Sequence, residues 1–373
     1  MTNKLRLSTA IIGSLAGLGL SAAVAQTTVS GNAAFGFYAT STDNTTKDGS
    51  HSAMTKETQI NLATKGKLNN GMNYAAGFSL EFDGPDAGET AMWSEGNYIE
   101  INSGDTTFTI GADRIQNGDG HITNANGIGY IGQDGLGNGG ASTAAGGRSI
   151  YPLHGSVYSF FGTGLIQKVG NGNLSVYYVP SMTTTVLNEI ANGANAAAAR
   201  QTSATQNGDA YEIGYKGDLG VKGLSAYAFY TSGDRLAEFN SLDKKVKTTN
   251  IGAAYTVGAI TVSAQTITTE GIQNGHTAAA ASNATNGALA EELKGKSVGL
   301  AYAVSKDLTL GLTHAKADSN AVLSVNDEKT TIASIGYSLG AVGIKAQYAD
   351  VDSYAGLNNN DGKSAKILMF TSF

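Results

Sequence analysis

Apolar and polar residues alternate along most of this chain with a period of two. In "DLTLGLTHAKA", residues 307–317, the three leucines fall on one face, and Thr, Gly and Thr fall on the other. The alternation recurs in "TNIGAAYTVG", "KSVGLAYAVS", "YEIGYKG" and "VGIKAQYAD". Successive side chains of an extended strand point to opposite faces. The pattern therefore predicts many β-strands, each with one apolar face and one face of small or polar residues.

The connections between these segments alternate between short and long. The short ones are "KLNNG", "SGD", "GNGN", "DLGVKG", "VGA", "SKD" and "LGAVG". The long ones are polar or rich in Gly and Ala, and they span residues 42–55, 115–154, 181–208, 233–247, 270–294 and 318–328. Strict alternation predicts antiparallel strands, with short periplasmic turns at one end and long outer loops at the other.

We count about sixteen strands, an even number as single-chain outer-membrane barrels require. Two Ala-rich stretches, "GANAAAARQ" and "ALAEELKGK", could form helical turns inside loops. The predicted strands begin near residues 28, 55, 71, 92, 105, 155, 172, 209, 222, 248, 259, 295, 307, 329, 342 and 363.

The chain begins with the features of a secretory signal peptide. Lys4 and Arg6 precede the apolar run "LSTAIIGSLAGLGLSAAV", and "AVA" at Ala23–Ala25 fits a cleavage site. Residues 1–25 are therefore predicted to be a signal peptide, and residues 26–373 the mature domain. Beyond residue 25 no run of 18 apolar residues occurs, so we expect no transmembrane helix.

A closed transmembrane barrel explains this pattern better than a soluble β-sandwich. A barrel satisfies every backbone N–H and C=O inside lipid. The chain ends in the apolar strand "KSAKILMFTSF", which needs a partner strand because an open edge favours aggregation. We expect this last strand to pair with the first, near "TVSGNAAFGFYA", and Ile251, Leu300, Leu310 and Ile344 to face lipid.

Composition and charge exclude several classes of functional site and partner. The 373 residues include 50 Gly and no Cys, and the formal net charge is −6. The absence of Cys excludes disulfides, thiolate metal sites and Cys nucleophiles, and the acidic balance argues against a nucleic-acid partner. Losing Lys4 and Arg6 with the signal peptide removes two positive charges and brings the net charge from −6 to −8.

The catalytic motifs that occur here lack their structural context. "GYSLG", residues 336–340, matches G-x-S-x-G, but Ser338 lies late in a predicted strand with no helix after it. "GLGNGG", residues 135–140, has no strand–helix context and is more typical of a Gly-rich loop. The five His residues show no metal-ligand spacing, and His314 falls near a strand end on the apolar face. We predict no enzyme activity, cofactor or metal.

Several segments of the chain resemble those of a known protein family. "ATKGKLNNGMNYAAGFSLEFD", "EGNYIEINSGDTTFTIGADR" and "VGLAYAVSKDLTLGLTHAKA" resemble hairpins of the sixteen-stranded general porins of Gram-negative bacteria, and the terminal Phe373 resembles their barrel-assembly signal. The chain departs from the family in having Thr371 rather than Tyr near the end, and only four Arg beyond residue 25. The resemblance implies an outer-membrane homotrimer that passes small hydrophilic solutes and is folded by the barrel-assembly machinery.

A pore of this kind selects by its diameter and by the charges at its narrowest point. The long segment 115–154 is either a surface loop or a loop folded into the lumen; we favour the second, because a sixteen-stranded lumen is wide. The predicted constriction consists of the charged residues of this segment and the two that precede it. They are Asp113, Arg114, Asp119, Asp134 and Arg148. Acids on neighbouring strands are expected to be opposed by Lys216 and Lys345, and the predicted pore lining is Glu57, Glu81, Glu100, Lys168, Glu212, Lys216 and Lys345.

The small acidic excess predicts a weakly cation-selective diffusion channel for ions and small hydrophilic solutes. Two alternatives remain at this stage. One is an outer-membrane barrel enzyme, such as a lipase, which would need a Ser–His pair on the lipid face. The other is a secreted structural or adhesive β-protein, which would need neither the turn–loop alternation nor a terminal Phe.

Overall fold

The protein is described by a computed structural model covering residues 26–42, 49–84, 93–111, 162–180, 210–233, 246–270, 292–319, 326–353 and 361–373. These residues form sixteen strands. In chain order they are β1 Gln26–Thr42, β2 Gly49–Lys67, β3 Asn73–Gly84, β4 Trp93–Ser103, β5 Thr106–Gly111, β6 Gly162–Val169, β7 Gly172–Val179, β8 Ala210–Gly217, β9 Leu224–Gly233, β10 Val246–Val257, β11 Ile260–Glu270, β12 Glu292–Ala303, β13 Leu308–Ser319, β14 Glu328–Leu339, β15 Val342–Asp352 and β16 Gly362–Ser372.

The strands form one closed antiparallel barrel in which every strand pairs with its neighbours in sequence. β16 returns to pair with β1, as predicted, with Phe370 opposite Ala34. The pairing continues to the last residue. The Phe373 N–H donates to the Gly31 carbonyl at 2.9 Å, and the Gly31 N–H donates to the Phe373 carbonyl at 2.8 Å. Closure leaves no strand edge exposed.

The seven short connections all lie at one end of the barrel. They join consecutive strands over residues 68–72, 104–105, 170–171, 218–223, 258–259, 304–307 and 340–341. Several need a residue with positive φ, and Gly170 and Gly258 supply it at φ of 60° and 59°. The predicted alternation of short turns and long loops is confirmed by the strand order.

The apolar face of each strand points outward, as expected for a barrel in lipid. The exposed fraction is 49% for Ile251 and 45% for Leu300, whereas Thr313, on the opposite face of β13, is 3% exposed. Leu310 is exposed as well, and Ile344 shares this outward face through its pairing with Tyr337. All four residues predicted to face lipid therefore lie on the outer surface. The inner face carries mostly small and polar side chains, together with some larger apolar ones such as Tyr177, Phe229 and Ile332.

The outer surface differs between its two ends. Next to the turns it carries a ring of tyrosines on different strands, Tyr74, Tyr215, Tyr255, Tyr302 and Tyr337. Amphipathic rings of this kind mark membrane–water interfaces. The outward-facing charges of the described strands all lie toward the loop ends.

Three local features differ from the sequence expectation. β2 begins at Gly49 rather than near residue 55, because its polar loop-side end extends beyond the alternating segment. β4 contains a bulge at Gly96, where φ is +58° and the register with β3 shifts. Within "ALAEELKGK", residues 292–296 belong to β12 rather than to a helical turn; residues 288–291 and the stretch "GANAAAARQ" lie outside the described residues. No helix in the described part of the chain is long and apolar enough to cross a membrane.

Candidate pore lumen

The register of the barrel identifies which positions face inward. Residues directly opposite each other on paired strands point to the same side of the sheet. Starting from the buried Thr313, the inward row passes through Ile332 on β14 and Ala349 on β15, and these three residues are 2–3% exposed. Every other residue along each strand shares this inward face.

Glu212 is the most enclosed of the predicted lining residues. It lies on β8 directly opposite Tyr177 of β7 and Thr231 of β9, and its side chain is fully buried. The Thr231 hydroxyl donates to Glu212 Oε2 at 2.9 Å. A buried carboxylate needs such partners because desolvation disfavours its charge. The hydrogen bond also limits the rotation of the carboxylate within the interior.

Five of the other predicted lining residues also occupy inward positions. Glu81 of β3 is buried, and Glu100 of β4 lies opposite Thr109 of β5. Lys168, Lys216 and Lys345 face inward by their register, and the side chain of Glu57 lies outside the described part of the structure.

Lys345 lies over an aromatic ring of the interior. Its Nζ is 5.2 Å from the centroid of the Phe370 ring on the neighbouring strand β16. The negative face of an aromatic ring attracts a cation at this distance, so Lys345 is directed along the barrel wall. Lys216 and Glu212 are four residues apart on the same strand, about 13 Å at 3.3 Å per residue. These two residues are therefore arranged along the barrel rather than across it.

The predicted constriction residues lie outside the described residues. Asp113, Arg114, Asp119, Asp134 and Arg148 all belong to the segment 112–161. Their placement stays a prediction.

Sequence reasoning missed inward charges that the register reveals. Glu328 and Lys366 are both buried, at 1% and 5% exposure. Glu328 begins β14, and Lys366 lies opposite Gln347 and Tyr38. The period-two pattern could have identified Lys366, because it alternates with the outward Ile367. It could not have identified Glu328, because Ile332, on the same face of β14, is apolar and yet points inward.

The inward charges are distributed unevenly along the barrel axis. Among the inward residues whose side chains the structure describes, four are acids and six are bases. Three acids with described side chains, Glu81, Glu212 and Glu328, lie near the loop ends of their strands, whereas Glu100 lies near a turn. Most bases lie near the turns, and Lys366 is the exception. The acids are Glu81, Glu100, Glu212 and Glu328, and the bases are Lys65, Lys67, Lys168, Lys216, Lys345 and Lys366.

The motif around Ser338 is part of this wall. Ser338 lies on β14, opposite Gly343 of β15, and a two-residue turn follows Leu339. The strand–turn–strand context differs from the strand–turn–helix arrangement of a nucleophile elbow. Among the described residues, no cluster of His, Cys, Asp or Glu is suited to hold a metal ion.

Comparison with known proteins places this barrel in a family. A family model described as Gram-negative porin matches residues 8–290, more than half of the chain. No protein of curated function matches the sequence.

Similar solved structures share the fold at low sequence identity. A complex of Salmonella typhi OmpF with daunomycin has a TM-score of 0.65 at 12% identity, and covers 93% of this chain and 97% of its own. A loop-deletion mutant of Vibrio cholerae OmpT, an outer membrane protein, has a TM-score of 0.61 at 11% identity, covering 94% and 99%. A mutant of the Rhodopseudomonas blastica porin has a TM-score of 0.57 at 13% identity, covering 93% and 100%.

The closed sixteen-stranded barrel, its outward apolar face and the family match lead to one conclusion. The chain belongs to the Gram-negative porin family and is an outer-membrane porin.

Proposed function

We propose that this porin is a passive diffusion channel for ions and small hydrophilic solutes, with weak cation selectivity and no enzyme activity. The main support for this proposal is the polarity of the barrel, which is the reverse of that of a soluble protein. Its outer face bears large apolar residues such as Ile251 and Leu300, and its inner face bears Ser, Thr, Asn and charged residues. An apolar exterior suits lipid, and a polar interior suits a water-filled channel.

The weak cation preference is inferred from the acidic balance of the whole chain. The formal net charge is −6, and it becomes −8 without Lys4 and Arg6 of the proposed signal peptide. The predicted constriction contains three acids, Asp113, Asp119 and Asp134, and two bases, Arg114 and Arg148. A small acidic excess raises the local cation concentration, and it acts over about 10 Å at 0.1 M salt.

The constriction itself is proposed to be the segment 115–154 folded against the inner wall. The sixteen-stranded barrel supports this, because side chains alone do not fill a lumen of that size. Glu212 and its partner Thr231 lie near the loop end of the barrel, where a loop entering the lumen would pass.

Reversal potentials in a potassium chloride gradient test the selectivity. We expect a potential of the sign for weak cation preference, declining as total salt increases. Deleting residues 118–146 should raise the single-channel conductance, because it removes most of the proposed constriction. Clear anion preference would contradict the selectivity. Unchanged conductance in a deletion variant that still folds would show that the constriction lies elsewhere.

We infer that residues 1–25 act as a signal peptide, that the assembly machinery recognises Phe373, and that three copies form a homotrimer among outer-membrane lipids. The resemblance to general porins supports the homotrimer, and the pairing of Phe373 with Gly31 supports a terminal strand that must be positioned for closure.

A further inference from the structure

Five aromatic rings on the inner face of the described strands lie against glycines, but they differ in what covers them. Phe370 has the Lys345 ammonium group 5.2 Å from its ring centroid. The ring of Tyr98 on β4 is half-buried, so part of its surface remains open to the lumen. The other three rings are buried, and they belong to Tyr177, Tyr227 and Phe229.

The backbone around Tyr98 determines where its ring lies. Tyr98 is directly opposite Gly77 of β3, and a Cβ built on Gly77 would be 2.9 Å from the nearest carbon of the ring. The ring therefore lies over the wall at β3. A β-bulge at Gly96, with φ of +58°, precedes Tyr98 by two residues. Bulges redirect nearby side chains and are frequent beside functional sites.

Polar groups border this ring on both sides along the barrel axis. Toward the loops lie Asn61 of β2 and Ser79 of β3, which are directly opposite each other. Toward the turns lie Lys65 of β2 and Glu100 of β4, which are both directly opposite Ala75 of β3. The side chains of Asn61 and Glu100 are half-buried, and that of Lys65 is exposed.

The size and chemistry of this patch suit a sugar ring. It extends about 13 Å along β2, from position 61 to position 65, and about 10 Å across β2 to β4. An aromatic face packs against apolar C–H groups. An amide both donates and accepts hydrogen bonds, a carboxylate accepts them and an ammonium group donates them. Because Lys65 and Glu100 have opposite charges, the border favours a neutral ligand over an ion.

We propose that this part of the lumen binds a ring of a neutral saccharide. The ring stacks on Tyr98, and its hydroxyl groups contact Asn61, Lys65 and Glu100. This inference rests on the proposed function, because it makes saccharides one class of the solutes that the channel carries. It adds a saturable binding step to free diffusion, and a bound sugar should lower the ionic current because it occupies part of the lumen.

Saturation-transfer NMR on the full-length purified porin measures the binding without requiring ion flow. The probe is maltose, titrated in a detergent that has no sugar headgroup. We expect the strongest transfer at the C–H protons of the sugar rings. Tyr98→Ala should bind maltose roughly 10-fold more weakly, because it removes the stacking surface. Tyr98→Phe should retain binding, and the matched control is Tyr255→Ala, which removes an exposed tyrosine from the outer surface.

A second variant keeps the test available if Tyr98→Ala fails to show heat-modifiable folding. Asn61→Ala/Glu100→Gln leaves the ring in place and should also weaken maltose binding, because it removes two hydrogen-bonding partners. Absence of saturation transfer to maltose in the wild type would overturn the proposal. Wild-type affinity in both Tyr98→Ala and Asn61→Ala/Glu100→Gln would overturn it as well.

Single-channel recording in planar bilayers separates this inference from the proposed function. Maltose should reduce the wild-type current to a plateau, whereas glycerol at matched viscosity should reduce it without saturation. Open channels on which maltose and glycerol act alike would overturn the saccharide site alone. Maltose binding by a protein that forms no channels would overturn the proposed function and support the site.

Discussion

At the scale of single residues, the interior is shaped by aromatic side chains lying on glycines. Phe229 is directly opposite Gly214, and Tyr177 is directly opposite Gly164. A methyl group built on either glycine would overlap the opposing ring. The absence of a Cβ therefore lets each ring lie flat against the wall. The same arrangement recurs at Gly343 with Phe370.

Gly214→Val should destabilise the barrel and narrow the lumen. The added side chain displaces the Phe229 ring from the wall, and overpacking of this kind costs about 1–3 kcal/mol. Urea unfolding from lipid vesicles measures the stability, and single-channel recording measures the conductance. Removing the ring as well, in Gly214→Val/Phe229→Ala, should recover part of both losses. Strictly additive effects of the two substitutions would contradict the packing argument.

At the scale of strands, period-two alternation made most of the fold predictable. The lipid-facing parts of strands must alternate, because one face contacts hydrocarbon and the other faces the interior. Predicted and observed starts agree within two residues for strands such as β7, β13 and β15. The agreement weakens where a strand leaves the apolar belt, as at the polar start of β2, because neither face is then required to be apolar.

Two adjacent positions on β12 separate the faces within one strand. Leu300 faces outward with 45% exposure, and Gly299 lies inward opposite Ser263 and Thr313. Leu300→Arg at the membrane midplane should cost roughly 2–4 kcal/mol. Gly299→Arg should cost less and change conductance instead. Folding titrations in vesicles compare the two variants, and equal destabilisation would contradict the assigned orientation.

The closing strand depends on its last residue. Phe373 makes two backbone hydrogen bonds with Gly31, and its exposed ring lies against that glycine. Deleting Phe373 should lower the yield of folded, heat-modifiable porin, because it removes both hydrogen bonds and the proposed assembly signal. Phe373→Trp, which keeps the backbone and an aromatic ring, serves as the control. Wild-type yield from the truncated chain would exclude a role for Phe373 in assembly.

At the scale of the whole molecule, the sequence predicted the wall of the pore better than its electrostatics. Inward positions such as Glu81 and Glu212 could be predicted because they lie in periodic strands. The distribution of the charges along the barrel axis could not be predicted, because the axial position of each residue depends on the register between strands. Glu328 illustrates this, since only its pairing with Ala317 places it near the loop end of the interior. Charged loop residues such as Asp119 lie in no alternating pattern, so the sequence does not predict which way their side chains point.

The axial separation of charge predicts an asymmetric current. Acids such as Glu212 and Glu328 lie toward the outer mouth, and bases such as Lys216 and Lys345 lie toward the periplasmic turns. Such a pore accumulates mobile ions under one voltage polarity and depletes them under the other, so porin inserted in one orientation should rectify at 0.1 M salt. The asymmetry should fade at 1 M, where charges are screened within about 3 Å.

Neutralising the basic end tests whether these side chains cause the asymmetry. Lys216→Gln/Lys345→Gln should reduce the ratio of currents at opposite voltages and increase the cation preference, because the outer acids then dominate the field. Lys306→Gln, at an exposed turn, should leave both unchanged. Current–voltage curves in planar bilayers provide the measurement. Symmetric curves for the wild type at 0.1 M would mean that the charges at the two ends do not govern ion flow, and that selectivity is set elsewhere along the lumen.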